Sequence, residues 1–222
     1  MMKSSVIVAG IYDKRTIQRL KEVGVDQLSF DFRAKSFNFL QQHIFMQLQQ
    51  ELQIQEKIYL HFENEADFVI SKILDDLKLS RGSANTYLEF SDMNSDQFYD
   101  KFETPFLWHY NFESPFIDKI PNAKYLRGII FKFSDLLKLH EDGVLLNFCN
   151  NFHSLYINCL KDENFKLILQ LDWDSNLFAS ISEHFDFTDI SLNISDKVEI
   201  CYRNVDLSKV SGHIEYLRNI DL

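Results

Sequence analysis

The feature that most constrains how this chain can fold is an alternation repeated eight times along its 222 residues. A short β-rich run is followed by a polar turn and then by an amphipathic helical stretch. The runs are 6–11, 27–32, 58–62, 86–90, 106–110, 129–133, 167–171 and 190–194. Helical spacing of apolar residues is expected over 14–23, 39–52, 66–77, 95–102, 116–124, 135–160 with a break near Gly143, and 177–185. It returns in a last stripe of Leu207, Val210, Ile214 and Leu217. Each unit is about 28 residues, the size of one strand, one helix and two turns.

Alternating strands and helices require parallel strands joined by right-handed crossovers, which leaves a closed barrel or an open, doubly wound sheet. Strands of an open sheet with helices on both faces read as unbroken apolar runs. Here most strands alternate instead. Seven carry a polar residue between apolar or aromatic ones: Phe30-Asp31-Phe32, Leu60-His61-Phe62, Leu88-Glu89-Phe90, Trp108-His109-Tyr110, Phe131-Lys132-Phe133, Leu171-Asp172-Trp173 and Leu192-Asn193-Ile194. The period-2 rule sends the flanks to the helices and the middle residue inward, so an α/β, (β/α)8 TIM barrel is expected, spanning 1–222 as one domain. A composition of 45% hydrophobic and 25% charged residues suits one packed core.

Each middle residue sits late in its strand, so all seven are expected to converge at the C-terminal mouth, where barrel enzymes keep their chemistry. Asp31, His61, Glu89, His109, Lys132 and Asp172 are therefore candidate acid/base residues, because titratable groups sharing a low-dielectric space shift one another's pKa values. The alternative is an inert layer of paired polar groups. Lys132, if kept neutral by burial, could form a Schiff base with a carbonyl compound. His61, Glu63, Glu89 and His109 could converge on a metal, but they come from separate strands with no local ligand spacing, and a hydrogen-bonded layer is favoured. No metal and no cofactor is expected. Phosphate-binding, dinucleotide, serine-nucleophile and zinc-protease motifs are all absent from the sequence.

A net charge of −10, with 23 scattered basic residues, argues against nucleic acid as a partner. The apolar run at 6–11 is too short for a signal peptide or a membrane span, so no membrane partner is expected. Cys149, Cys159 and Cys201 form no ligand spacing, and an odd number of cysteines suggests reduced thiols in a cytoplasmic protein. Nothing in the sequence names an oligomeric state.

Both ends of the chain resemble the phosphoribosylanthranilate isomerase family, a barrel family of tryptophan biosynthesis that performs an Amadori rearrangement. Val8-Ala9-Gly10-Ile11-Tyr12 is similar to the family's first strand, K-I-C-G-I-T. Gly24-Val25-Asp26-Gln27-Leu28-Ser29-Phe30-Asp31-Phe32 is similar to its G-A-D-x-x-G-F-x-F, and Arg33-Ala34-Lys35-Ser36-Phe37-Asn38 follows like its x-P-x-S-x-R. Near the other end, 193–199 resembles D-V-S-S-G-V-E, with Asp206 close to the family's K-D.

The departures from that pattern carry as much information. The resemblance places Ala9 where the family has its catalytic Cys, and Lys132 near the place of its general-acid Asp. Asn38 stands where an Arg is thought to hold the anthranilate carboxylate, although Arg33 or Lys35 could substitute. The family's phosphate-binding turns are glycine-rich, whereas here they read Asp172-Trp173-Asp174-Ser175-Asn176 and Ser195-Asp196-Lys197. Asn193 and Ser195 are the candidate binding residues on that side. Normal isomerase activity is therefore not expected. One expectation is a divergent pseudoenzyme acting as a binding or scaffold protein. A second is an enzyme of isomerase or lyase type, with altered acid/base chemistry on a small polar molecule. A third is a working isomerase with relocated catalytic residues.

Overall fold

The computed structural model describes residues 5–173, 181 and 183–218. Eight parallel strands close into a barrel in sequence order: β1 Ser5–Ala9, β2 Gln27–Asp31, β3 Lys57–Phe62, β4 Thr86–Phe90, β5 Phe106–His109, β6 Leu126–Lys132, β7 Lys166–Leu171 and β8 Asp189–Asn193. Closure is made by β1 against β8, with Ser5 opposite Asp189 and Ala9 opposite Asn193. Outside lie α1 Lys14–Glu22, α2 Gln42–Leu48, α3 Asp67–Arg81, α4 Asp96–Asp100, α5 Phe133–Glu141, α6 Leu145–Tyr156 and α7 Leu207–Arg218. A small antiparallel hairpin, β9 Glu199–Cys201 with β10 Asn204–Val205, lies between β8 and α7.

Local chemistry explains the helix limits. Asp13 caps α1 by accepting from the Thr16 backbone N–H at 2.8 Å and from its hydroxyl at 2.6 Å. Gly143, at φ +70°, ends the expected 135–160 helix and divides it into α5 and α6. After β5 no α-helix forms: Pro115 and Pro121 remove backbone donors, and only a 3₁₀ turn, Ile120–Asn122, covers the barrel there with a fully buried Ile120. The helix expected over 177–185 lies largely outside the described residues.

The two faces of the strands divide as the alternation requires. Outward residues such as Phe30, Phe62, Phe90, Trp108 and Phe131 are almost fully buried beneath the outer layer. Burying a side chain of that size contributes roughly 1.5–3 kcal/mol. Phe131 packs edge-on to Phe152 of α6 at 5.0 Å.

Inside, three levels stack along the axis. At the N-terminal end Asp189 takes both oxygens to Lys166 Nζ at 2.9 Å and accepts from Gln27 Nε2 at 2.8 Å. Tyr59 donates to Gln27 Oε1 at 2.6 Å. Gly128 is required here, since a Cβ on it would meet the Lys166 carbonyl oxygen at 2.6 Å. Above lies an apolar level of Ile7, Leu107, Ile130 and Ile168 with the Tyr59 ring, and above that the polar mouth. The mouth therefore has a dry floor.

Among the described residues, no helix is long and apolar enough to cross a membrane.

Candidate functional site at the barrel mouth

Three inward side chains from three neighbouring strands meet on that floor. His61 on β3 and Glu89 on β4 are paired in register, and His109 ends β5. Glu89 Oε1 lies 2.7 Å from His109 Nε2 and 3.2 Å from His61 Nδ1. The two imidazoles stack nearly parallel, 8° apart with centroids at 4.8 Å. Ser29 donates to the other oxygen, Oε2, at 2.9 Å, and Ser91 lies 3.0 Å from His61 Nε2. All three central residues are 3–6% exposed.

Burial sets the protonation states. It pushes the His61 imidazole down to about 3 against the opposing pull of Glu89, so His61 is neutral at pH 7. Burial alone would raise the Glu89 carboxyl, but the facing imidazoles and the His109 and Ser29 hydrogen bonds outweigh it and hold it near 2. An ionised carboxylate thus lies between two rings, and the nitrogens facing it carry the hydrogens. His109 Nδ1 is buried without a hydrogen-bond partner among the described residues.

The cluster faces a solvent-connected cavity of about 820 Å³, large enough for a small metabolite. Its wall carries Glu63, Glu113, Asp135 and Asp142 besides Glu89, against Arg33, Lys132 and Lys138. An adjoining space of about 410 Å³ shares Lys132, Gln170 and Asn193 with it and reaches Asp172 and Ser195.

The remaining sequence candidates fall in several places. Asp31 is buried, but it does not line the cavity: Arg33 grips it through Nε at 2.9 Å and Nη2 at 2.6 Å, and Ser36 donates to it at 2.5 Å. Burial would raise its carboxyl, yet the Arg33 bonds dominate and hold it low. Arg33 reaches the cavity wall with its charge already shared. Lys132 lines the mouth but is exposed, so the burial that a neutral Schiff-base lysine needs is missing.

Asp172 departs from the expected ring. β7 ends at Leu171, the inward position belongs to Gln170, and Asp172 stands beyond the strand, 78% exposed and 3.4 Å from Lys197. Lys35 is exposed and outside the cavity. Asn38 is a clamp rather than a ligand-facing group: its amide donates to the Ile194 carbonyl at 2.6 Å and to Asn193 Oδ1 at 3.3 Å. Glu63 is an exposed wall residue apart from the His61, Glu89 and His109 group. Asp174, Ser175 and Asn176 lie outside the described residues.

Residues the triplets overlooked complete the site. Ser29 sits two positions before Asp31 and Ser91 two after Glu89, both on the inward face, and the same counting from Ile168 finds Gln170. The period was visible for all three. None of the three carries a charge that marks it.

Comparison with solved structures defines the architecture further. A phosphoribosylanthranilate isomerase in complex with reduced 1-(o-carboxyphenylamino)-1-deoxyribulose 5-phosphate superposes with a TM-score of 0.67 at 15% identity, over 98% of this chain and 100% of that one. The isomerase from Thermotoga maritima gives 0.66 at 14%, with the same coverage. In fold, the chain is similar to the phosphoribosylanthranilate isomerases. An HpcH/HpaI aldolase from Desulfitobacterium hafniense follows at 0.58 and 9%, over 99% of this chain and 94% of that one. No family model and no curated protein sequence matches the chain. The isomerase-like barrel expected from the two ends of the sequence thus extends over 98% of the chain in the superposition, with Ala9 on its cavity wall.

Proposed function

We propose that this isomerase-like barrel is an enzyme acting by proton transfer, of isomerase or lyase type, on a small polar molecule without a phosphate group. The observation that carries the reading is the carboxylate of Glu89 held between two imidazoles at the floor of an open 820 Å³ cavity. A positioned proton-transfer group is typically worth about 10² to 10⁴ in rate, and with its carboxyl held near 2 Glu89 serves to orient the two imidazoles rather than to take the proton itself. The stabilising value of buried ionisable groups is doubtful, which favours a working role for the cluster over an inert layer.

The normal isomerase reaction is not part of the proposal. Ala9, which has no exchangeable proton, lines the cavity where the resemblance puts a catalytic Cys. The turns after β7 and β8 present Asp172 and Asp196 rather than glycine backbone. The reduced phosphorylated product bound by the solved isomerase is accordingly expected not to bind.

The test is a thermal-shift screen of small carboxylates, amino acids, sugars and sugar phosphates against the wild type and Glu89→Gln, with a parallel phosphoribosylanthranilate turnover assay. Stabilisation of the wild type alone by a phosphate-free compound supports the reading. Efficient isomerase turnover, or tight binding of the reduced phosphorylated product, overturns it.

A further inference from the structure

The His61, Glu89 and His109 cluster has the donor set and the supports of a mononuclear transition-metal site. We infer that these three side chains bind one divalent transition-metal ion, zinc foremost, with an open coordination position facing the cavity. The inference rests on the reading of the mouth as a small-molecule site and says what its floor holds.

Chemistry and geometry both bear on this. Two imidazoles and one carboxylate form a recurrent three-ligand set for catalytic zinc, and also for non-haem iron(II). One donor atom from each residue falls within 4.8 Å of the other two. At metal–ligand distances near 2.0–2.2 Å, tetrahedral ligands stand about 3.3 Å apart. The His61 Nδ1 to Glu89 Oε1 separation is already 3.2 Å, while the 2.7 Å edge from His109 Nε2 to the same oxygen must open and the two stacked imidazoles must turn so that their nitrogens converge on one ion. Consecutive strands β3, β4 and β5 supply the ligands from one side, leaving the cavity side for water or substrate.

The surroundings are those of a ligand set held in place. Outer partners that fix the tautomer and orientation of first ligands are a general part of metal sites. Ser91 lies at the far nitrogen of His61, and Ser29 holds Glu89 Oε2, which frees Oε1 for a cation. On His61 the nitrogen away from Glu89 lies beside Ser91 Oγ, which can hold the ring while Nδ1 faces a cation.

An inert hydrogen-bonded layer accounts for the cluster less well, because it leaves charge uncompensated. Arg33 is engaged by Asp31, and the cavity wall carries five carboxylates against three cations, a balance that favours a divalent cation. Once bound, such an ion polarises a substrate oxygen or acidifies a bound water, and either makes proton transfer next to a carbonyl easier.

The experiment is calorimetric titration of the intact, chelator-treated protein with Zn²⁺, repeated with Co²⁺ and read by visible absorption. One ion per chain is expected, with the intense absorption of low-coordinate cobalt. Glu89→Gln and His109→Gln, checked for folding by circular dichroism, are expected to abolish it. Ser91→Ala, which keeps all three ligands, is expected to weaken it about 10- to 100-fold. Absence of binding by the wild type, or binding that Glu89→Gln leaves unchanged, overturns the inference. If zinc fails to bind while a polar metabolite still stabilises only the wild type, the metal inference falls and the small-molecule reading stands. Zinc binding in a protein that no metabolite stabilises has the opposite meaning.

Discussion

Charge is buried at both ends of this barrel, and replacing Asp189 by Asn separates the two uses. At the N-terminal end Asp189 is 2% exposed, and it accepts from Lys166 at 2.9 Å, Gln27 at 2.8 Å and Thr188 at 2.7 Å, and from Ser5. Asn keeps the shape but loses the charge and turns one acceptor into a donor facing Lys166 or Thr188. Breaking one side of a buried ion pair costs about 3–5 kcal/mol, mostly because the surviving charge is left unpaired. Lys166 is 15% exposed and so reaches some water, which puts the expectation at the low end, about 3 kcal/mol. Urea unfolding at pH 7 followed by far-UV circular dichroism measures it. A loss below about 1 kcal/mol, the range of a surface pair, refutes the reasoning. The double replacement Lys166→Met with Asp189→Leu removes both charges and is expected to recover most of the loss.

The same end of the barrel governs acid stability. Burial alone raises the Asp189 carboxyl, but Lys166 and the Ser5 and Gln27 bonds outweigh it and the net shift is downward. The pair's stabilisation is therefore complete above the unfolded value near 4 and is lost as pH falls through the lower folded value, so wild-type unfolding free energy should drop below about pH 4 and do so less in Asp189→Asn. Burial pushes the Lys166 ammonium down despite Asp189, so the charged lysine returns part of the gain. Gly128→Ala is expected to cost about 1–3 kcal/mol in the same urea assay, because its Cβ meets backbone at 2.6 Å; no loss would show that β6 can yield there. Cys201 is exposed, whereas burial raises the Cys149 thiol to about 11 and that of Cys159 upward, so a thiol reagent should label one cysteine quickly in the native protein and two more after unfolding.

The barrel was legible because period-2 alternation and helical stripes are written locally, and helix limits followed from single residues such as Gly143. Strand limits were less so. β6 begins at Leu126 rather than at 129, since Arg127 and Gly128 interrupt the apolar pattern, and Phe133 opens a helix instead of closing a strand. The inward position at the end of β7 belongs to the uncharged Gln170, whereas the charged Asp172 lies one step past Leu171. The N-terminal polar level was not visible, since Ser5, Lys166 and Asp189 lie one residue before the apolar runs that start at 6, 167 and 190, and the polar Gln27 opens its run. At the mouth, alternation alone brought His61, Glu89 and His109 inward. It gave no sign that Arg33 would fold back two residues onto Asp31, or that Asn38 would hold β8, a contact that depends on side-chain reach across the closed barrel.

If the two polar levels have different tasks, Glu89→Gln should separate binding from stability. The variant keeps the shape and an acceptor oxygen toward both imidazoles, and the lowered Glu89 carboxyl means that losing its charge costs some stability, but less than in Asp189→Asn, because the facing His61 is neutral and no lysine is left unpaired. In one set of samples, urea midpoints and thermal shifts with the best phosphate-free compound of the screen should show a smaller loss of stability than in Asp189→Asn and no binding. A Glu89→Gln protein that loses as much stability as Asp189→Asn and still binds that compound would contradict the account: the mouth cluster would then be a structural layer and not the working centre.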